Sequence, residues 1–434
     1  MNWRALPGEQ VGGIVQIPGD KSISHRALMF GGIASGRTEI SGFLASADCH
    51  ATLAALVALG VRIEQPEPTR VVVNGVGLHG LQAPAHALDM GNAGTAMRLF
   101  MGLLAGQRFD STLIGDRSLM RRPMERAASP LRQMGADIAT TAGCPPVVIH
   151  AARRLVGIDY LMPVASAQVK SALLIAGLYA DGMTRVTEPA PSRDHTERML
   201  AIFGVRVDRS GSSIALCGGQ QLQGGALQVP ADFSSAAFFL VAGLLGSGSG
   251  LTLRRVGMNP TRTGLLDILR LMGAHIEIGA AAEQNGEPVA DMLVLPSRLR
   301  ALSVPLSLVA LAIDEFPVFF IAAACADGVS ELRGAEELRV KESDRLATMA
   351  AGLGALGVEC ELLADGMRIR GRPDGPAFRA GRIDSHGDHR VAMSFAVASL
   401  RAAGALEISD TANVSTSFPG FVQTANLAGI RLHT

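Results

Sequence analysis

A chain of 434 residues has room for two or three hydrophobic cores, and its 48% hydrophobic content supplies the surface to bury, so disorder as the main state is excluded. Lys and Arg number 39 and Asp and Glu 39, so no global field recruits nucleic acid or an anionic membrane, and 4% aromatic residues argue against base-stacking platforms. Any anion site is therefore a local cluster. The five cysteines, Cys49, Cys144, Cys217, Cys325 and Cys360, lie singly without CxxC spacing, the pattern of reduced, mostly buried thiols and not of a disulfide framework or a zinc site. With no basic-then-apolar leader and no apolar run of roughly 18 residues, the chain is expected to be cytoplasmic, with no membrane partner.

The first element is an apolar strand, Ile14-Val15-Gln16-Ile17, that stops at Pro18-Gly19 and gives way to a helix over 27–34. Between them, Gly19-Asp20-Lys21-Ser22-Ile23-Ser24-His25-Arg26 crowds two cations and two hydroxyls onto a helix entrance. The unpaired N–H groups and positive dipole end found there suit a phosphate or carboxylate. The stretch is not a nucleotide P-loop, because Asp20 stands where that motif requires glycine. Taken alone it fits an ordinary capped helix with solvated Lys and Arg equally well.

From there a repeat runs through the chain. A helix ending in an apolar residue and glycine, followed by a short apolar alternation, occurs at Gly60, Gly135, Gly204, Gly273, Gly357 and Gly429, with spacings of 75, 69, 69, 84 and 72 residues. Each glycine is expected to be a left-handed helix C-cap and each alternation a strand with one buried face. A second helix, rich in small residues, falls once in each unit, at 27–34, 95–105, 169–178, 234–245, 316–326 and 391–400. Apolar all round, these six predict inner helices buried all round. Six units exceed one core, so the chain divides into two groups of three, with one domain over 20–232 and the other over 1–19 plus 233–434. The strand before Pro18 is expected to pair within the second group.

The polar chemistry collects at the inner-helix entrances. Met90-Gly91-Asn92-Ala93-Gly94-Thr95-Ala96-Met97-Arg98 places glycine where backbone approaches a ligand closely, although a plain N-cap also accounts for it. Arg121-Arg122-Pro123 reads as an extended segment whose neighbouring side chains point opposite ways, so at most one guanidinium turns inward. Ser166-Ala167-Gln168-Val169-Lys170 offers hydroxyl and amide donors, and His195 reads as a partner of Asp194 and not as a metal ligand. Asp314-Glu315 sets two carboxylates at an apolar helix entrance. Arg339-Val340-Lys341-Glu342-Ser343-Asp344-Arg345 reads as a charged helix start on which Lys341 and Arg345, four apart, share a face. Asp388-His389-Arg390 adds one more cation.

Together these ordered motifs resemble the 5-enolpyruvylshikimate-3-phosphate synthase family of enolpyruvyl transferases over essentially the whole chain. The resemblance implies an α/β, two-domain enolpyruvyl transferase fold, an inside-out α/β barrel of six βαβαββ units, three per domain, with the active site in the interdomain cleft. It also implies transfer of the enolpyruvyl group of phosphoenolpyruvate to the 5-hydroxyl of shikimate 3-phosphate with release of phosphate, by a monomer without cofactor or metal. By motif position, Lys21, Gly94, Arg122, Gln168, Arg345 and Arg390 would hold phosphoenolpyruvate. Lys21, Ser22, Arg26, Ser166, Gln168, Arg193, Asp314 and Lys341 would hold shikimate 3-phosphate. Asp314, with Lys21, would take the 5-hydroxyl proton, and Glu342 would protonate the methylene carbon and later remove a proton. Leu99, Ala167 and Thr416 depart from the commonest bacterial pattern toward the class II branch, whereas Gly94 keeps the class I residue and implies that glyphosate still binds. The related UDP-N-acetylglucosamine enolpyruvyl transferases carry a loop cysteine, and Arg117 to Pro123 holds none. A catalytically idle binder of phosphorylated ligands would have no need of both Asp314 and Glu342.

Overall fold

The computed structural model describes residues 1–8, 10–151 and 154–434. The chain separates into two compact units, one formed by Gly19–Val229 with Gln284–Gly286, the other by Met1–Pro18, Pro230–Glu283 and Glu287–Thr434. Each unit has its own continuous hydrophobic core.

The unit that begins at Gly19 contains helices α1 (Lys21–Ile33), α2 (Ala47–Ala58), α3 (Gly94–Leu104), α4 (Glu125–Gln133), α5 (Ala167–Gly177) and α6 (His195–Ile202). The other contains α7 (Phe233–Leu245), α8 (Gly264–Leu271), the single turn α9 (Leu306–Val309), α10 (Phe316–Ala324), α11 (Arg345–Ala355), α12 (His389–Ala398) and α13 (Phe421–Leu427). Every residue of α7 and α10 is buried, as expected of helices that are apolar on all faces. α1, α3, α5 and α12 are buried over nearly all their length, with only their first turns reaching solvent. Small residues allow the close packing: a Cβ at Gly102 of α3 would stand 2.2 Å from the carbonyl oxygen of Ala172 in α5.

Among the described residues the strands form six sheets, three in each unit. One pattern recurs, in which a first strand runs parallel to a second, which pairs antiparallel with a third, which pairs antiparallel with a fourth. Leu88–Asp89, Ser111–Ile114, Cys144–Ile149 and Ile138–Thr141 are one instance. Gln10–Val15 is the parallel strand beside Ser247–Gly257, the pairing expected of the N-terminal strand. Trp3–Leu6 is the third strand of the last sheet, between Leu406–Ser409 and Arg431–His433, a placement that no local signal predicts. In the Val329–Leu332 sheet, isolated parallel bridges at Arg300–Asp327 and Ser303–Glu331 stand in for the first strand.

All six repeat glycines take the left-handed conformation, with φ of 88° at Gly60, 98° at Gly135, 85° at Gly204, 90° at Gly273, 80° at Gly357 and 101° at Gly429. The strand after each lies at the edge of its sheet. Three of these strands have no buried residue: Asp208–Ser210 is fully exposed, Arg62–Glu67 is exposed except for half-buried Ile63, and Cys360–Leu362 is exposed except for half-buried Cys360. In these units the buried residue of the alternation, Val205, Val61 or Val358, directly follows the glycine and precedes the strand. An edge strand pairs on one side only and rests little of its surface on the core. The five thiols are unbridged, and only Cys49 and Cys325 are buried.

Candidate active site

In the unit of α1 to α6, three inner-helix entrances are tied together by side chains. Asp20 caps α1 by accepting from the Ile23 N–H at 2.8 Å, which orients the first turn. Lys21, in that turn, forms an ion pair with Asp48 at the start of α2. Arg26, one turn further and 3% exposed, donates from Nη1 to the Ser22 carbonyl at 2.9 Å, from Nε to Thr196 Oγ1 at 2.7 Å and from Nη2 to Ser171 Oγ at 2.9 Å. α1 is thereby joined to α5 and α6. His25, between the two cations, is fully buried with Nδ1 2.7 Å from Thr52 Oγ1. Burial first, then the charges of Lys21 and Arg26, push its pKa from 6.5 down to about 3.

Gly94 opens α3 with no side-chain cap. Arg98 donates from Nη1 to the Gly94 carbonyl at 3.2 Å and to Gln168 Oε1 at 2.8 Å, and from Nη2 to the Pro123 carbonyl at 2.9 Å. Gln168 in turn donates to Thr95 Oγ1 at 2.9 Å, so the α3 and α5 entrances are locked to each other. Ser166 caps α5 through its hydroxyl, which accepts from the Val169 N–H at 3.4 Å. Arg122 is 8% exposed and donates to Asn92 Oδ1 at 3.0 Å, while Asn92 donates to Asp116 Oδ2 at 2.7 Å. The paired arginines do not lie in one extended run: Arg121 ends a 3-10 turn over Leu119–Arg121 and is exposed, and the chain becomes extended only at Arg122. Asp116 causes the turn by accepting from the Leu119 N–H at 2.7 Å. Arg193 is half-buried just before α6. Asp194 is ion-paired with Arg198 at 2.9 Å and Arg209 at 3.6 Å, and neither partner was read from the sequence.

In the other unit, Arg345 organises the polar cluster. It is 1% exposed and donates from Nε to Asp388 Oδ2 at 2.8 Å, from Nη1 to Asp314 Oδ1 at 3.3 Å and from Nη2 to Glu342 Oε2 at 2.5 Å. Burial opposes its charge, but Asp388, Glu342 and Asp314 outweigh that and raise its pKa above the ordinary value. At Asp388, itself fully buried, Arg345 likewise more than reverses the effect of burial and holds the carboxyl below its usual value. Asp388 also caps α12 by accepting from the Arg390 N–H at 2.9 Å. Arg390 donates to the Asp314 carbonyl at 2.8 Å and reaches Glu315 Oε1 at 3.4 Å. Lys341 Nζ lies 3.4 Å from Asp314 Oδ1. The segment is not one helix with Lys341 and Arg345 on a shared face: a 3-10 turn over Glu336–Val340 ends at an extended Lys341, and α11 begins at Arg345 behind its cap Asp344. Asp314, not helical spacing, brings the two cations together.

The sequence-expected residues thus form two groups, Lys21, Ser22, Arg26, Gly94, Arg122, Ser166, Gln168 and Arg193 in one unit, and Asp314, Lys341, Glu342, Arg345 and Arg390 in the other. Asp48, Asn92 and Asp388 are supporting partners whose roles sequence reasoning did not assign. Asn92 and Asp388 stood inside recognised motifs, Asn92 as an expected helix cap, but α3 has no side-chain cap and Asn92 instead accepts from Arg122. Asp48 has no local signal beyond its place in a helix first turn. Among the described residues no group of three His, Cys, Asp or Glu side chains is placed to hold a metal ion, and no helix is long and apolar enough to cross a membrane.

A family model described as EPSP synthase (3-phosphoshikimate 1-carboxyvinyltransferase) matches residues 6–425. The 3-phosphoshikimate 1-carboxyvinyltransferase of Alkalilimnicola ehrlichii is 58% identical over 433 residues, covering 100% of this chain and 96% of that protein. That of Methylococcus capsulatus is 58% identical over 429 residues, covering 99% and 97%. The EPSP synthase structure from Acinetobacter baumannii superposes with a TM-score of 0.89 at 51% identity, covering 100% of this chain and 99% of that one. With the match spanning nearly every residue and the fold in agreement, the chain belongs to the EPSP synthase family.

Proposed function

We infer that the chain transfers the enolpyruvyl group of phosphoenolpyruvate to the 5-hydroxyl of shikimate 3-phosphate and releases phosphate, a step of aromatic amino acid biosynthesis. Both substrates are multiply anionic, which suits a neutral chain that concentrates its cations at helix entrances. The observation that carries the catalytic assignment is the Arg345 guanidinium, which holds Asp314 and Glu342 on adjacent nitrogens.

In the reaction we assign to them, Asp314, assisted by Lys21, takes the proton of the attacking 5-hydroxyl as its oxygen bonds to C2 of phosphoenolpyruvate. Glu342 delivers a proton to C3, converting the methylene to a methyl group and completing a tetrahedral intermediate. Glu342 then removes a proton from that methyl group as the C–O bond to phosphate breaks, and the proton held by Asp314 passes to the departing phosphate. Both carboxyl groups return to their starting states, so atoms and charge balance without a cofactor. Each acid or base contributes roughly 10²–10⁴-fold. Arg122, Arg345, Arg390, Gln168, Gly94 and Lys21 are assigned to phosphoenolpyruvate. Lys21, Ser22, Arg26, Ser166, Gln168, Arg193, Asp314 and Lys341 are assigned to shikimate 3-phosphate. Positioning and charge stabilisation by the arginines supply most of the remainder.

Ala167, Leu99 and Thr416 support a place near the class II branch, and we read the protein as a cytoplasmic monomer. The test is phosphate release from phosphoenolpyruvate with and without shikimate 3-phosphate, beside Glu342→Gln. Release that needs both substrates and collapses in the variant is expected; release that persists in the variant removes Glu342 from its role.

A further inference from the structure

α5 carries a lysine that the reaction above does not use. Lys170 is wholly buried, and its Nζ lies 2.8 Å from Glu188 Oε2 and 2.7 Å from Glu197 Oε1. A third contact, 3.4 Å, runs to the Ser192 carbonyl, and the Ser192 hydroxyl donates to the other oxygen of Glu188. Burying a cation between two carboxylates gains little stability over apolar packing of the same volume, but it prescribes where its partners sit.

Those partners delimit one segment. Glu188 follows directly on the strand Met183–Thr187, and Glu197 lies in the first turn of α6. Between them the chain carries Arg193, whose N–H belongs to the same peptide as the Ser192 carbonyl that Lys170 holds. One residue along α5, Ser171 accepts from Thr196 Oγ1 at 2.7 Å, and both hydroxyls receive Arg26. Lys170–Glu197 and Ser171–Thr196 are therefore two rungs between α5 and α6, with the α1 guanidinium resting on the second. The entrances joined at this junction carry Lys21, Ser22 and Arg26 on α1, Ser166 and Gln168 at α5, and Arg193 before α6.

We propose that Lys170 is a positioning residue for shikimate 3-phosphate, setting the 188–194 segment and Arg193 against the α5 entrance. The proposal rests on the assignment of those entrances to that substrate. Lys170 itself touches no reacting atom. Losing it moves Arg193, while Gly94 and Arg122 keep their own bonds to α3 and Asn92.

The experiment is steady-state kinetics of Lys170→Met, Glu188→Gln and Ser192→Ala, each substrate varied in turn, with the rise in Tm on adding shikimate 3-phosphate as a second readout. Misplacement of a binding group costs about tenfold to a hundredfold, so KM for shikimate 3-phosphate is expected to rise by that factor in Lys170→Met and less in the other two. KM for phosphoenolpyruvate stays within about twofold, and the ligand-induced Tm rise shrinks. A fall in Tm with both KM values unchanged, or a parallel rise in both, overturns the proposal and leaves Lys170 a structural residue. Should Lys170→Met fail to fold, the same selective or non-selective pattern in Glu188→Gln and Ser192→Ala decides. Wild-type enzyme that shows no turnover with these substrates would overturn the functional reading instead.

Discussion

Replacing Gly94 with alanine tests the proposed assignment of Gly94 and Arg122 to phosphoenolpyruvate most directly. The added Cβ would lie 2.8 Å from Arg122 Nη1 and 3.2 Å from Arg98 Nη1. Ordinary contact begins near 3.4 Å, so the Arg122 guanidinium must retreat by about 0.6 Å (3.4 minus 2.8). Arg122 has little room for this: it is 8% exposed and already donates to Asn92 Oδ1 at 3.0 Å. A charge-assisted bond displaced from its partner forfeits about 1.5–3 kcal/mol, or about tenfold to a hundredfold in affinity. Backbone strain does not contribute, because Gly94 lies outside the left-handed region, and alanine improves on glycine in a helix by about 1 kcal/mol. The expected result is a KM for phosphoenolpyruvate raised tenfold or more, with KM for shikimate 3-phosphate and Tm nearly unchanged. A KM for phosphoenolpyruvate within about twofold of wild type would show that Arg122 does not face this substrate.

Four further outcomes are expected. His25 binds its proton far less readily when folded, with a pKa of about 3 against 6.5 unfolded. Its contribution is therefore complete above pH 6.5 and is lost as pH falls toward 3, on the order of several kcal/mol in all. Thermal scans should show a Tm falling from pH 7 to 5 that flattens in His25→Gln, and an unchanged slope refutes this. Asp388→Ala leaves Arg345 Nε without its buried acceptor, while Asp314 and Glu342 stay on the other two nitrogens, and it removes the α12 cap. It should cost about 1–3 kcal/mol in urea denaturation; an unchanged stability would refute this. Gly204→Ala meets nothing closer than Gln223 Cγ at 4.0 Å, so it pays only the left-handed backbone penalty of roughly 1–2 kcal/mol. Gly429→Ala, whose Cβ would stand 2.0 Å from the Gln10 carbonyl oxygen, should lose clearly more, and equal losses would contradict the packing there. Glyphosate is expected to inhibit well below the millimolar range, and a half-inhibitory concentration in that range would remove Gly94 as the reason for binding.

Much of the architecture is legible because its signals are local. A glycine that ends a helix in the left-handed conformation and a helix that is apolar on every face need no knowledge of the rest of the chain, and both recur six times. The expectation that the helix entrances hold anions rests likewise on residue type and position. Where a reading depended on extrapolating local geometry through charged segments, it failed. Asp116 folds Leu119–Arg121 into a turn, and Lys341 interrupts what looks in sequence like a continuous helix start.

The sequence by itself therefore determined the repeat, the inner helices and the motifs that carry the family likeness. Only the tertiary structure decided which carboxylate faces which cation: Asp48 at Lys21, Asp388 at Arg345, Glu188 and Glu197 at Lys170. It alone also decided that Trp3–Leu6 completes the last sheet. Caps and helical periodicity are set by residues within one or two turns of each other. Ion pairs and sheet partners join positions separated by 18 residues at Lys170–Glu188 and by more than 400 at Ala5–Leu406, and no local rule reaches across such gaps.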